Sequence, residues 1–512
     1  MYATVAGRRS NAGLHPLMRE QVVTGLFLLA AALFLFHDAQ TTPIILWDES
    51  RNAMNALEMR RTGFSLVTTY DLRPDLWNTK PPLLIWLMYG SMALFGPSEW
   101  ALRLPSALAS LGTLIILILF VRRITGSLGT GLAAGTLLLV SPGFFSEHGA
   151  RTADYDAVLV FFTTAYLQLL FLALHQRRPS LKLSLLIGAL IACAFLTKST
   201  AGIIAGAGIP FYLLAVRRLR RPFEAPGTYL CMAAAALGPV VLFLAAREAI
   251  APGYLQAMLH NDLLGRFQQV LIGRETRPTL YLEMLVSGWF FAGPLLLLAP
   301  LSLPHLRGRK RLLFLFSLGI GIAQVAVCSL SATRLPHYAL PALPWFAIAV
   351  AIALPALWRR HIAPSWPTGA RLSFSPPLAF LAALAAIMSV VAYRSLDWRY
   401  RAMAESRFSA EGKYGELLAS LSKQGVTQVA AVDPGFILEG DPHYSPLLDT
   451  YRLIWAEQGL AAKHLPAMPV SGGGLLASCS PAFVPSLLEQ GRDISGVPGC
   501  VAVRARNRTG RH

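Results

Sequence analysis

Long apolar runs, broken by short basic clusters, dominate the chain from residue 21 to residue 393. A bilayer-spanning helix needs ~20 apolar residues, and cytoplasmic loops collect Lys and Arg. With those two rules the pattern predicts spans at 21–37, 102–121, 127–144, 157–174, 181–197, 199–216, 228–247, 280–303, 312–331, 338–357 and 376–393. Arg8, Arg9 and Arg19 precede the first span. Arg122-Arg123, Arg177-Arg178, Arg217 to Arg221, Arg307 to Arg311 and Arg359-Arg360 fall on the same side under this count. The agreement supports a cytoplasmic N-terminus and an uncleaved first helix. The apolar segment 82–95 is short for a span and reads as a helix in or near the outer interface. With that segment, the expectation is about 11–13 transmembrane helices.

Two regions break the apolar pattern. Residues 38–100 form a large first outer loop. Beyond residue 394 the polarity becomes ordinary, so the chain divides into a transmembrane domain, 1–393, and a soluble extracytoplasmic domain, 394–512. The tail reads as α/β: a helix over 413–423, a strand over 426–432, a turn at Asp433-Pro434-Gly435 and a flexible loop from Ser471 to Gly474. No internal repeat of fixed period is visible. The predicted architecture is an all-α polytopic membrane protein with a small C-terminal α/β domain.

Composition agrees. Of 512 residues 54% are hydrophobic and 14% charged, where soluble domains carry about a quarter. Mean hydropathy is +0.50. The net charge of +18 sits in short clusters between apolar runs, which is membrane topology rather than a nucleic-acid surface. Three of five cysteines, Cys193, Cys231 and Cys328, lie in apolar runs as packing residues. Cys479 and Cys500 are the tail's only two, and either a disulfide or two thiols fits their spacing.

Acidic residues are scarce, so those at the outer boundary matter. Asp48 and Glu49 follow the first span, and Lys80 precedes two prolines in the same loop. A carboxylate there can serve as a base or bind a cation, and a lysine can hold a phosphate. The bland alternative for the acidic pair is a solvated loop. Asp156 opens a span, where it is either an N-cap or a functional carboxylate. Lys198 either snorkels to the interface or contacts phosphate. Arg334, in a short polar and aromatic segment, can cover a lipid headgroup. The outer-facing histidines His37, His148, His260 and His337 are far apart and give no zinc spacing. Nucleotide phosphate-loop and dinucleotide motifs are lacking, which disfavours a nucleotide-driven enzyme or pump.

In order, these elements resemble the bacterial branch of the protein O-mannosyltransferase superfamily, including the aminoarabinose lipid A transferases, of GT-C type. The similar stretches are Trp47-Asp-Glu-Ser-Arg51, Asn78-Thr-Lys-Pro-Pro-Leu-Leu-Ile-Trp86 and Phe95 to Ser106. Arg151 to Asp156, Ala194 to Ser199 and Arg334-Leu-Pro-His-Tyr-Ala-Leu-Pro341 complete the set. The last has arginine where the family has lysine. The resemblance covers about residues 20–350 and does not identify the substrate. It implies a GT-C fold and an inverting glycosyltransferase that takes a sugar from a polyprenyl-phosphate donor. The acceptor it implies is a glycolipid such as lipid A, another envelope glycan or a protein. It makes Asp48 the leading catalytic carboxylate and Asp156 the second acid, with Asp154 as fallback. Lys80 becomes the donor-phosphate lysine and Arg266 a weaker phosphate ligand. Arg51, Glu49, Arg334 and Tyr338 complete the expected binding set. The resemblance implies a bacterial inner-membrane location with site and tail on the periplasmic side. No cofactor or nucleic-acid partner is expected, and dependence on a divalent metal is left open. The competing reading is a transporter or flippase of lipid-linked sugars, against which the one-sided charges argue.

Overall fold

The computed structural model describes residues 16–37, 39–218, 221–270, 277–362, 411–438, 441–469 and 474–505, with 390, 393 and 397. Most are helical. The helices of the first half are α1 (Pro16–Phe36), α2 (Asp48–Thr62), α3 (Leu83–Phe95), α4 (Glu99–Thr125), α5 (Leu128–Leu139), α6 (Pro142–Phe145), α7 (Tyr155–Leu174) and α8 (Leu181–Lys198). Among the described residues, seven helices are long and apolar enough to cross a bilayer: Met18–Phe36, Glu99–Thr125, Tyr155–Leu174, Leu181–Lys198, Pro226–Ile250, Gly308–Leu330 and Pro336–His361. The protein is an integral membrane protein.

Three expected spans take other forms. The span at 127–144 is α5, whose 12 residues rise only ~18 Å, followed by the short α6. Pro142 starts that second piece. The span at 199–216 is split into Ala201–Ile204 and Ile209–Ala215 around a glycine-rich stretch. The span at 280–303 breaks into Leu280–Val286, Gly293–Leu298 and a 3-10 segment, at Gly288, Pro294 and Pro300. Proline removes a helix donor and glycine lowers helix propensity, so hydropathy survives there while helical continuity does not. The expected span at 376–393 lies outside the described residues, apart from 390 and 393. The segment 82–95 is α3, 13 residues long, as its length implied.

Helices pack closely where side chains are small. A Cβ on Gly188 of α8 would meet the Met232 carbonyl oxygen at 2.4 Å. That contact lets α8 lie against Pro226–Ile250. One large apolar core runs through α1, α4, α5, α7 and Leu343–Leu357.

The outer loop and the tail form a second core together. It joins Ala53, Met54, Leu57, Leu84 and Met88 to Tyr414, Leu417, Leu448 and Tyr451. The tail holds a four-stranded sheet in the order Ala461–Leu465, Gln428–Val432, Gly474–Ser478, Val501–Ala505. The first three are parallel and the last antiparallel. The helix Tyr414–Lys423 and the strand Gln428–Val432 fall where periodicity put them. Part of the loop from Ser471 lies outside the described residues. Cys479 and Cys500 form a disulfide that ties adjacent strand ends.

Candidate active site

A cavity of about 740 Å³ opens where the outer loop, the ends of α7 and α8, and the segment Pro336–Ala342 meet. Asp48, Glu49, Arg51, Lys80, Asp156 and Tyr338 all line it. The residues marked out in the sequence therefore converge, although up to 290 positions separate them (48 to 338). Three of the six non-glycine residues with positive φ among those described are also on its wall: Trp47, His148 and Ser199. Such backbone persists only where surrounding structure enforces it, and it concentrates at functional sites.

Asp48 is the first residue of α2, and its side chain is 55% exposed. Glu49, beside it, is placed differently. Its carboxylate is gripped by the Arg103 guanidinium, with Nε to Oε1 at 2.7 Å and Nη2 to Oε2 at 2.8 Å. It also accepts from the Ile45 and Ala153 amides. Arg103 in turn donates to the carbonyls of Ala39, Thr42 and Pro43. Glu49 is thus a buried brace that fixes the start of α2.

Arg51 pairs with Asp75 through two hydrogen bonds, at 3.0 and 2.8 Å. Its guanidinium also lies over the rings of Tyr70 and Tyr444, at 4.6 and 5.2 Å. Burial alone would raise the Asp75 carboxyl. The Arg51 charge, with hydrogen bonds from Arg51, Asn78 and Asn55, outweighs burial and holds it below the usual carboxylate range. Lys80 reaches Asn78 Oδ1 at 3.5 Å and lies 5.6 Å from the Tyr155 ring centre.

Asp154, not Asp156, is the N-cap residue of α7, and its side chain makes no capping bond. Asp156 sits in the first turn and receives the Lys198 ammonium at 2.7 and 2.6 Å. Both are buried. Lys198, at the end of α8, neither snorkels nor stands alone; it also lies 5.6 Å from the Tyr338 ring centre.

Two of the expected binding residues stand apart. Arg334 is not among the described lining residues, and its Nε donates to the Ser329 carbonyl. Arg266 falls on the short helix Gly265–Gln268, and its side chain lies outside the described residues.

Sequence reasoning passed over the histidines. His148 and His337 come together, ring centres 3.8 Å apart. His148 Nδ1 is 3.4 Å from Asp154 and 3.8 Å from Asp48, and Nε2 is 3.9 Å from Glu147. Burial lowers the His148 pKa, but Asp154, with smaller contributions from Asp48 and Asp156, overcomes it and lifts the value to about 9. Asp154 is held low because the His148 charge and hydrogen bonds from His148 and Thr152 outweigh burial. The available signal was indirect: His337 sits inside the Arg334–Pro341 element and His148 just before Arg151–Asp156.

Two groupings bring carboxylate and imidazole donors within 4.8 Å of one another, His148–Asp156–His337 and Asp48–His148–Asp154. Spacing alone would admit a cation. However, Asp156 already holds an ammonium, and Asp154 already accepts from Asn52 and Thr152 and faces His148. The carboxylates meet positive charge from the chain itself.

The tail reaches the cavity as well. Tyr444 lines it, and Trp47 packs on Phe436 and Tyr444 with ring centres 5.0 and 6.2 Å apart. Asp262 lines the same wall and accepts from Thr79 at 3.1 Å.

Residues 79–244 match the family described as dolichyl-phosphate-mannose-protein mannosyltransferase. A curated protein of Aquifex aeolicus (strain VF5), described as an uncharacterized protein, is 30% identical over 192 residues. That stretch is 38% of this chain and spans 37% of the relative's own length. ArnT from Cupriavidus metallidurans bound to undecaprenyl phosphate superposes with a TM-score of 0.68 at 17% identity, covering 94% of this chain and 97% of that one. Its apo state gives 0.62 at 16% identity, covering 94% and 98%. These findings define the class: a polytopic membrane protein with the GT-C glycosyltransferase fold. Its family resemblance is to the branch that unites protein O-mannosyltransferases and aminoarabinose lipid A transferases, in sequence over 79–244 and in fold over nearly the whole chain.

Proposed function

We propose that the protein transfers a sugar from a polyprenyl-phosphate donor to an acceptor of the cell envelope, a lipid A-like glycolipid above all, with a glycan or protein hydroxyl as the alternatives. The observation that carries this reading is Asp48: a carboxylate more than half exposed, on the wall of a cavity that also holds Lys80. The structure of ArnT with undecaprenyl phosphate, whose fold this chain shares, supports the donor class.

In the reaction the acceptor hydroxyl attacks the anomeric carbon. Its proton passes to Asp48 as the new C–O bond forms. The bond from the anomeric carbon to the phosphate oxygen breaks, and its electron pair leaves with the polyprenyl phosphate. Direct displacement inverts the anomeric configuration. Lys80 places positive charge beside the leaving phosphate before the reaction, where such charge is most effective. Asp156 acts through its pair with Lys198, and Tyr338 closes that wall. No cofactor is required by these steps. The site and the tail face the periplasm, opposite the arginine-rich loops, and the Cys479–Cys500 disulfide fits an oxidising compartment.

The test is transfer by purified protein given polyprenyl-phosphate sugars and envelope acceptors. Asp48→Asn should lower turnover ~10²–10⁴-fold, the range of general-base catalysis, while still folding. Full turnover in that variant ends the assignment. Flipping of the lipid-linked sugar without transfer would favour a transporter.

A further inference from the structure

We infer that His148 is a positioning residue: its ring, clamped between Asp154 and His337, is a fixed partner that orients Asp48. The inference rests on the function proposed above and deepens it.

The argument starts from charge. Three carboxylates, Asp48, Asp154 and Asp156, crowd one wall of the cavity. Like charges sharing a site repel one another, so each carboxylate needs a partner to hold it in place. Lys198 pairs directly with Asp156, at 2.6 Å. His148 supplies the second positive charge, with Nδ1 facing Asp154 at 3.4 Å and Asp48 at 3.8 Å. Among the described residues, the charged and titratable groups around it include Asp48 at the head of α2, Glu147 on its own loop, Asp154, Asp156 on α7, the stacked His337, and Lys198 beyond Asp156.

Geometry fixes the ring rather than leaving it adjustable. His148 has φ 59°, a left-handed backbone that a β-substituted residue adopts only when held there. Its side chain is only 18% exposed. The stack on His337 fixes the ring plane and ties the Arg334–Pro341 element to Asp48. The arrangement gives the pocket the positive charge that a bound metal would otherwise bring to an acidic cluster. It draws that charge from the chain.

The experiment compares wild type, His148→Ala and Asp48→Asn for transfer, with a polyprenyl-phosphate sugar as varied donor. Transfer by wild type, lost in Asp48→Asn, secures the underlying reading. His148→Ala should then lose about 10- to 100-fold in kcat, short of the ~10²–10⁴-fold of general-base catalysis itself. Donor KM should stay within about twofold. Added imidazole should restore part of the turnover, because the deletion leaves space in a 740 Å³ cavity. A merely structural role gives neither the split between kcat and donor KM nor the imidazole response. Wild-type turnover in His148→Ala overturns the inference and leaves the transferase reading standing. So does a wild type that EDTA inactivates and Mn²⁺ restores, since the cation would then be a metal. Absence of transfer in wild type sinks the reading itself.

Discussion

Glu49 offers the sharpest test of how the site is built. It neighbours the proposed base and lines the same cavity, so it could be taken for a substrate ligand. Its surroundings argue for a brace. Both carboxylate oxygens meet Arg103, the Ile45 and Ala153 amides add two more hydrogen bonds, and both side chains of the pair are 2% exposed. Removing one partner of such a pair strands the other charge and costs about 3–5 kcal/mol. Glu49→Gln keeps the shape and loses the charge, so it should fall near about 3 kcal/mol, and Glu49→Ala near about 5 kcal/mol. Glu49→Gln/Arg103→Met should lose less than the two single changes summed, because no charge is stranded. The assay is thermal unfolding in detergent, followed by tryptophan fluorescence, with donor KM on the folded fraction. A Glu49→Gln protein that unfolds at the wild-type midpoint but binds donor weakly would refute the brace.

Two further outcomes follow from the same geometry. Lys80→Ala should raise donor KM about tenfold or more, with little effect on the unfolding midpoint; unchanged donor affinity removes it from the phosphate site. Asp75 is held below the usual carboxylate range, so the stability it contributes is fully present above the unfolded value of ~3.9 and is lost as the pH falls through its lower folded value. Acid titration of the unfolding midpoint should therefore be flatter in Asp75→Asn/Arg51→Met than in wild type, and equal slopes would exclude the pair as a source of acid sensitivity.

Membrane class, the helix and strand of the tail, and the cavity's main lining residues were legible because each rests on a local pattern. Hydropathy and basic clusters located the helices without saying which stay continuous. Pro142, Pro294 and the glycines near 202–208 interrupt three of them, and hydropathy averages over such breaks. Asp48, Lys80 and Tyr338 were visible as charged or aromatic residues in short polar segments between apolar runs. The pairings were not. Arg51 needed an acid, but nothing in the spacing singled out Asp75, 24 residues on. Glu49 looked equivalent to Asp48, yet one residue along the helix its carboxylate is gripped by Arg103 while that of Asp48 stays more than half exposed on the cavity wall. His148 and His337 are 189 residues apart (337 − 148), so their stacking is purely tertiary.

The tail is joined to the proposed chemistry through α2. Thr450 donates to the Ser50 carbonyl, and Tyr451 accepts from the Ile44 amide. Arg60, at the far end of α2, holds Glu457. The head of α2 is therefore fixed from two directions: by Arg103 from the membrane side and by the helix Pro446–Ala456 from the tail. Asp48 lies between those anchors, and Tyr444 brings the tail to the cavity wall beside Arg51. On the proposed function, an acceptor reaching Asp48 passes surfaces of both domains. A tail that merely decorated the membrane domain would have no reason to share its core with the helix that carries the proposed base. On the proposed function, acceptor choice is a joint property of the tail and the first loop, and donor choice a property of the membrane-side residues Lys80, Lys198 and Tyr338.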